Sequence, residues 1–377
     1  MAFLGFGQID TNFIPLILGC IFCLLNRILN SYKGTKLFDN VILTNIFISL
    51  GDMLIIIPYI IYKIKAKFEK NNKSIYKKRK SDVDKIKYIY TGSITKVKGK
   101  AKFVILIGII FFANYNIFIY TIKVKSNTWI MYIVFTSLFY YLMFKSKLFI
   151  HHYLSIGLIL VFGIVVDLVV GNLQTDITEN FLKIILSIVR VVLLSLDYTL
   201  IKYTMEKKYV SPYVLGMFNA LINLVLFIIF AIFDFYFFHF FEYSDYFNNF
   251  NTKELLVILG LIGTQLGLYT TLFFIDKNQT PCHIFIVFVF GQFGIVFYNF
   301  EFGSNSAVII ICLILILFFS LVFNEIIELR FCKLAYNTKK NIAERAEFDV
   351  DDASIINDNM ERSESLTEMP DFSLDKN

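Results

Sequence analysis

Long apolar runs separated by short polar segments dominate the pattern of this chain. A helix that crosses the roughly 30 Å hydrocarbon core of a bilayer needs about 20 mostly apolar residues. Ten runs of about that length predict membrane-spanning helices at residues 12–30, 41–62, 103–122, 127–145, 150–170, 182–204, 212–233, 254–275, 281–299 and 305–325. We therefore expect an all-α membrane protein with ten transmembrane helices and little chain left for a soluble domain.

Five predicted spans are followed by five more, and an odd number of spans per half inverts the second half relative to the first. Inverted repeats are common in secondary transporters, whose substrate lies between the halves near the midplane. Residues 12–171 are then the first five-helix repeat and residues 172–328 the second. Pro212 and Pro281 follow Ser211 and Thr280, as expected where a helix begins with a cap and then a proline.

The distribution of Lys and Arg predicts how the chain is oriented in the membrane. The loop at residues 63–102 carries fifteen Lys or Arg against Glu69, Asp82 and Asp84. Loops rich in Lys and Arg stay in the cytosol, so this loop, the N-terminal residues 1–11 and the C-terminus are all expected there. We interpret the loop as a segment that sets the topology. The alternative is that its basic side chains also contact anionic lipid headgroups. Nucleic-acid binding is not expected, because no recognition module accompanies the bases.

Composition agrees with a membrane protein. The chain is 57% hydrophobic, whereas soluble domains are nearer 45–50% apolar. The tail at residues 329–377 is different, with eleven acidic residues from Glu344 onwards. Such a segment cannot bury enough apolar surface to fold. We expect a disordered cytosolic tail, either regulatory or merely solvating.

Polar side chains within the spans should face the bundle interior or a water-filled cavity, because lipid cannot solvate them. Asn45, Ser49 and Asp52 fall on one stripe of the second span, and Asn219 and Asn223 share a face of the seventh. The candidate substrate-binding residues are Asn45, Asp52, Asn114, Asn116, Tyr120, Arg190, Asp197, Asn219, Asn223, Gln265, Tyr269 and Gln292.

Roles within this set follow from chemistry. The planar guanidinium of Arg190 suits bidentate contact with a phosphate or carboxylate, whereas Asp52 would couple a proton or select a cation. Tyr120 and Tyr269 could stack on a base or sugar. Two alternatives stay open: the amides only join helices through hydrogen bonds, and Asp52 and Arg190 only pair with one another.

Catalysis is not expected. The sequence has no H-E-x-x-H, no H-x-x-x-x-D and no paired acidic motif in a membrane-facing loop, and membrane-embedded enzymes need such clusters. No metal or other cofactor is expected either. His283 is expected to cap a helix end or to lie at the surface, and Glu325 to lie at the membrane interface.

Two segments carry a resemblance to a known family. They are TSLFYYLMFKSKLFIHHYLSIGLILVFGIVV, in spans four and five, and DYTLIKYTMEKKYVSPYVLGMFNALINLVLFI, in spans six and seven. With the five-plus-five arrangement, they resemble the drug/metabolite transporter superfamily, and the second half is most similar to EamA-like and nucleotide-sugar-transporter-type carriers. The resemblance implies a carrier in the Golgi or endoplasmic reticulum, rather than the plasma membrane, that exchanges a nucleotide sugar for a nucleoside monophosphate by alternating access.

Other functions stay open at this point. A proton-coupled carrier of amines or other metabolites fits the same polar stripes, with a small molecule and the lipid bilayer as partners. A non-transporting scaffold or receptor with a carrier-like fold fits the basic loop and the acidic tail. Homodimerisation also stays open, because lipid-facing and dimer-facing surfaces are both apolar.

Overall fold

A computed structural model describes residues 4–6, 13–31, 41–71, 101–121, 128–146, 148–170, 177–208, 210–238, 251–298 and 304–329. Most of the N-terminal segment 1–11, most of the basic loop and the acidic tail beyond residue 329 lie outside these residues. The predictions for those segments therefore stay predictions.

The described chain is almost entirely α-helical, as the apolar runs predict. Its helices are α1 (Ile14–Ser31), α2 (Val41–Met53), α3 (Ile56–Asn71), α4 (Ala101–Thr121), α5 (Met131–Phe144), α6 (Ile150–Val170), α7 (Ile177–Lys207), α8 (Pro212–Phe233), α9 (Thr252–Asn278), α10 (Ile284–Tyr298) and α11 (Ser304–Phe323). A helix occupies each of the ten predicted spans, and the second span is divided between α2 and α3.

Within the described residues, six stretches are long and apolar enough to cross a membrane. They are Ile42–Ile61, Ile150–Val169, Ile184–Lys207, Pro212–Phe237, Thr252–Asn278 and Ser306–Phe323. Four other apolar helices are shorter: Ile14–Asn30, Ala101–Asn114, Thr128–Phe144 and Pro281–Phe297. Large apolar side chains such as Ile150 and Phe237 are exposed on the outside of the bundle, as expected of a surface that meets lipid.

The break between α2 and α3 has a local cause. Pro58 has no N–H and its ring crowds the carbonyl four residues earlier, which is that of Leu54. The chain turns at Leu54 and Ile55 instead, where Ile55 N–H donates to Asp52 O at 3.2 Å and Ile57 N–H donates to Leu54 O at 2.8 Å. The break therefore lies directly after Asp52.

Helices from the two halves of the chain pack against each other. α1 contacts α9 and α10, α2 contacts α8 and α9, α4 contacts α7 and α8, α5 contacts α7, and α6 contacts α11. One apolar core runs through these contacts and includes the fully buried rings of Tyr132, Phe273 and Phe285.

Two short strands accompany the helices. β1 (Leu4–Phe6) pairs antiparallel with β2 (Ile327–Leu329), with Leu4 opposite Leu329. This pairing ties the start of the chain to the segment that follows α11. The sequence pattern did not predict it, because three residues are too few to show a periodicity.

Gly51 sets the distance between α2 and α9. A Cβ at this position would lie 2.9 Å from the backbone oxygen of Ile262 and 3.1 Å from Cβ of Gln265. A backbone atom cannot rotate away, so a larger residue would force the two helices apart.

We expect Gly51→Ala to lower the free energy of unfolding by about 1–3 kcal/mol, the usual effect of overpacking a well-packed core. Reversible unfolding in mixed micelles would measure it. Gly263→Ala in α9 is the matched control, since a Cβ there meets nothing within 4 Å. Equal losses in both variants would contradict the close approach as the cause.

Candidate functional site

The interior of the bundle carries many polar side chains. The buried ones include Asn26, Asn45, Ser49, Asp52, Asn114, Asp197, Lys202, Asn219, Asn223, Gln265 and Asp276. At membrane depth such groups are costly unless they are bonded within the protein or face water. Their positions therefore define the candidate site, which contains three groups.

The first group, the Asp52 network, joins three helices. Gln265 on α9 donates from Nε2 to Oδ1 of Asp52 on α2 at 2.9 Å, and Asn26 on α1 donates from Nδ2 to Oε1 of Gln265 at 3.1 Å. Asn26 also donates to Thr264 Oγ1 at 3.3 Å and accepts from Asn30 Nδ2 at 2.7 Å. Both ends of the Gln265 amide are used, so its orientation is fixed.

The Asp52 network lies beside an irregular stretch of backbone. Gly51 allows α2 to approach α9 closely enough for the bond between Asp52 and Gln265. The turn at Leu54 and Ile55 follows at once. Discontinuous helices near the bilayer midplane commonly form substrate and ion sites in transporters, so this is the position in the fold where such a site is expected.

The second group, the Tyr269 cluster, joins α8 to α9. Asn219 donates from Nδ2 to the Tyr269 hydroxyl at 3.1 Å, and that hydroxyl donates to the Gly216 carbonyl at 3.1 Å. Asn223 donates to the Asn219 carbonyl at 2.8 Å, so these two amides share a face as predicted. The Tyr269 ring meets Phe273 edge to face. In this conformation the ring packs in the core, and the predicted stacking on a substrate stays a prediction.

The third group, the carboxyl pair, consists of Asp197 on α7 and Asp276 on α9. Both side chains are fully buried, and the carboxyl of Asp276 lies close enough to act electrostatically on that of Asp197. Among the described residues, no hydrogen-bond donor reaches any of the four carboxyl oxygens. Two such groups in an apolar interior require a proton, a cation or water to be stable.

A buried ammonium lies near the carboxyl pair but is bonded elsewhere. Lys202 on α7 donates to the carbonyls of Lys277 and Gln279 at 3.1 Å and 2.6 Å, and pairs with Glu206 at 2.9 Å. A cation at the C-terminus of a helix satisfies carbonyls that have no partner within the helix. Lys202 therefore holds the end of α9 against α7.

Other predicted residues have different surroundings. Asn45 and Asn114 are buried, and within the described chain Asn45 Nδ2 and Asn114 Oδ1 make no hydrogen bond. Both atoms are free to bind a polar solute or water. The side chains of Asn116 and Tyr120 lie outside the described residues, although α4 contains both positions.

Arg190 and Gln292 are both half-buried, on α7 and α10. Asp52 bonds to Gln265, and the salt bridges of the described residues do not include Asp52 with Arg190. The alternative in which these two residues only pair with each other is therefore not realised in this conformation.

Sequence reasoning missed Asn26, Asp276 and Lys202. Asn26 and Asn30 are four residues apart near the end of the first span, where polar side chains are expected to reach the membrane interface, so they did not mark an internal stripe. Asp276 follows the predicted end of the eighth span at residue 275, but α9 continues to Asn278. Lys202 lies near the end of the predicted sixth span, where a basic residue is expected to reach the cytosol, whereas it is only 3% exposed. Only the packing of helices shows that these groups are internal.

A separate cavity lies at the end of the bundle where α6 begins and α11 ends. Its volume is about 140 Å³, and its lining includes Ser137, Tyr140, Ser146, His152, Thr280, His283, Asn324 and Glu325. His283 accepts from Thr280 N–H at 3.3 Å in a capping box, so its predicted capping role is confirmed. This volume has room for a few waters and is smaller than the roughly 300 Å³ at which drug-sized ligand pockets begin.

We expect Gln265→Leu to destabilise the protein by about 1–3 kcal/mol, because it leaves the buried Asp52 carboxyl without its donor and removes one of the two acceptors of the Asn26 amide. Asp52→Asn should cost less, since its amide oxygen can still accept from Gln265. Gln292→Leu, at a half-buried glutamine, is the control and should be near neutral. Thermal unfolding in detergent measures all three, and equal effects of Gln265→Leu and Gln292→Leu would contradict the network.

Comparison with known proteins does not assign this chain to a family. No model of a known protein family matches the chain, and a search of curated proteins finds no match.

Proposed function

We propose that this chain is a secondary transporter of a small polar metabolite that works by alternating access. The observation that carries the proposal is the set of buried polar groups along α2, α7, α8 and α9, and above all the carboxyl pair. A merely structural interior would satisfy its polar groups, as those of Tyr269 and Asn219 are satisfied. Asp197, Asp276, Asn45 and Asn114 keep unused hydrogen-bonding atoms within the described residues, which suits a site that binds and releases a solute.

The packing of the helices supports ten spans arranged as two inverted five-helix repeats. If α2 and α3 are counted as one span, each span of the first half has a counterpart five spans later in the second half. The contacts of α1 with α9 and α10 then correspond to the contacts of its counterpart, α7, with α4 and α5. In the same way, the contact of α2 with α9 corresponds to the contact of α8 with α4. The contacts α2–α8 and α6–α11 each join a helix to its own counterpart. Such symmetry is typical of inverted repeats, in which the substrate site lies between the halves.

Two substrate classes have separate support. The resemblance to drug/metabolite transporters implies a nucleotide sugar exchanged for a nucleoside monophosphate, with Arg190 binding the phosphate. The carboxyl pair and Asp52 favour the alternative, a proton-coupled carrier of amines or other cations, because buried carboxyls bind protons and cations. An endomembrane location with both termini in the cytosol, a small-molecule substrate and homodimerisation are parts of the proposal that rest on the sequence alone.

The direct test is uptake by the purified protein in liposomes, with and without a pH gradient, across a panel of nucleotide sugars, nucleoside monophosphates, amines, amino acids and organic acids. For proton-coupled transport, we expect Asp197→Asn and Asp276→Asn to lower the initial rate by about tenfold or more, because an amide cannot take up the coupling proton and offers no charge to a bound cation, and a hydrogen bond between a charged group and a solute is worth about that factor. Asp167→Asn, at a half-buried position of α6, is the matched control and should keep the wild-type rate.

The substrate classes separate in the same assay. Uptake of a nucleotide sugar that is stimulated by a nucleoside monophosphate on the opposite side, and is lost in Arg190→Gln, would establish exchange. Uptake of an amine driven by the pH gradient, and lost in the carboxyl variants, would establish proton coupling. A folded protein that moves no solute in the panel would overturn the carrier proposal and favour the scaffold or receptor.

A further inference from the structure

Three metal-ligating residues from distant parts of the chain meet beside the 140 Å³ cavity. His151 and His152 lie in the first turn of α6, and Glu325 follows α11. The Nε2 atoms of His151 and His152 lie 3.4 Å and 3.8 Å from the same Glu325 oxygen, Oε1. The two imidazole centroids are 4.0 Å apart, and ligand atoms of all three residues lie within 4.8 Å of one another. We infer that His151, His152 and Glu325 form a binding site for a divalent metal ion of the zinc class.

The burial of the His151 imidazole indicates that it binds a ligand. Its side chain is 3% exposed, and within the described residues neither ring nitrogen makes a hydrogen bond. Buried polar atoms are almost always satisfied by protein, by ordered water or by an ion. An ion between His151 and Glu325 would bind the imidazole nitrogen and neutralise the carboxylate at once.

The backbone at Glu325 explains how its carboxylate reaches the start of α6. Its φ is +58°, a left-handed conformation that is uncommon for residues with a side chain. Hydrogen bonds from Glu325 N–H to the Val322 carbonyl at 3.1 Å and from Ile326 N–H to the Leu321 carbonyl at 2.9 Å hold this turn. The turn places the Glu325 carboxylate against the start of α6. This pair of hydrogen bonds is the common Schellman ending of a helix, so the turn positions the carboxylate but is not in itself evidence for a ligand.

The donor set selects the class of metal. Zn²⁺ binds imidazole nitrogen and carboxylate oxygen at about 2.0–2.2 Å, so neighbouring ligand atoms of a tetrahedral ion are roughly 3.4 Å apart. The separations of 3.4 Å and 3.8 Å from Glu325 are close to this value, and ligand atoms of all three residues lie within 4.8 Å of one another, so movement of the side chains can bring them to one ion. Mg²⁺ and Ca²⁺ prefer shells of oxygen atoms. The cavity beside Glu325 has room for a water as the fourth ligand.

His152 has a second role that competes with metal binding. Its Nδ1 accepts from Phe149 N–H at 3.1 Å, which in the neutral ring leaves the proton on Nε2. Binding an ion through Nε2 moves that proton to Nδ1 and exchanges this single neutral hydrogen bond for a coordination bond. The coordination bond is the stronger of the two, so the exchange favours the bound ion.

The site would join the two halves of the chain. α6 belongs to the first half and α11 to the second, and the two helices pack together. This inference does not depend on transport, because it concerns an ion bound by the folded protein in the absence of any solute.

The test uses the full chain, purified in detergent, stripped with EDTA and dialysed. We expect titration with Zn²⁺, followed by calorimetry, to show one high-affinity ion per chain and a rise in the melting temperature. Co²⁺ at the same site should give the visible absorption of a tetrahedral complex. Mg²⁺ should leave the melting temperature unchanged.

His152→Asn is the most informative variant, because the asparagine oxygen can keep the hydrogen bond from Phe149 N–H while the Nε2 ligand is lost. Glu325→Gln keeps the size of the side chain and removes the anionic ligand. Each variant should weaken Zn²⁺ binding by about 100-fold or more, beyond the effect of losing an outer-shell contact. His283→Asn is the matched control, since His283 lines the same cavity outside the cluster.

Two results would overturn the inference. One is a wild-type protein that binds no Zn²⁺ in the micromolar range. The other is stoichiometric binding that survives both His152→Asn and Glu325→Gln, or that His283→Asn weakens equally, since the ion would then lie elsewhere. Melting temperatures in EDTA show whether each variant is folded, and loss of binding in a folded His152→Asn protein supports the site even if Glu325→Gln does not fold.

Discussion

Lipid offers no hydrogen bond, so each polar group that this chain carries into its bundle must find a partner within the protein. The bond from Gln265 to Asp52 shows how strict this constraint is. It requires α2 and α9 to approach closely, which Gly51 permits, and it requires the Gln265 amide to be held from the other side by Asn26 on α1. One buried carboxyl thereby fixes the relative positions of three helices.

The three polar groups of the interior differ in how completely they are satisfied. The Asp52 network and the Tyr269 cluster use the donors and acceptors of their central residues, Gln265 and Tyr269, and a network of this kind rigidifies what it joins. The carboxyl pair uses none of its four oxygens within the described residues. The nearby Lys202 ammonium acts electrostatically on Asp276, but the carboxyl oxygens still have no hydrogen bond within the described residues, so the energy of the pair is sensitive to a proton, water or cation that reaches it.

The sequence alone predicted the helices well, because a run of about 20 apolar residues leaves few alternatives to a helix in a membrane. It also predicted the shared face of Asn219 and Asn223 and the cap at His283, since both depend on spacings of three or four residues. Contacts between distant segments could not be read in this way. Asn26 with Gln265, and His151 with Glu325, depend on which helices become neighbours, and one apolar helix surface resembles another.

The contacts between the two halves are not uniform along the bundle. In its middle, apolar side chains interlock around the Asp52 network, and separating them would leave cavities and unbonded polar groups that destabilise the protein. At the end that holds Glu325, several contacts are polar: Tyr132 donates to the Pro281 carbonyl at 3.2 Å, and His151 faces Glu325 beside a cavity with room for water. Water can replace such contacts at little cost. If the halves move relative to one another, this end is where they separate most easily, and an ion held by both halves would oppose that movement.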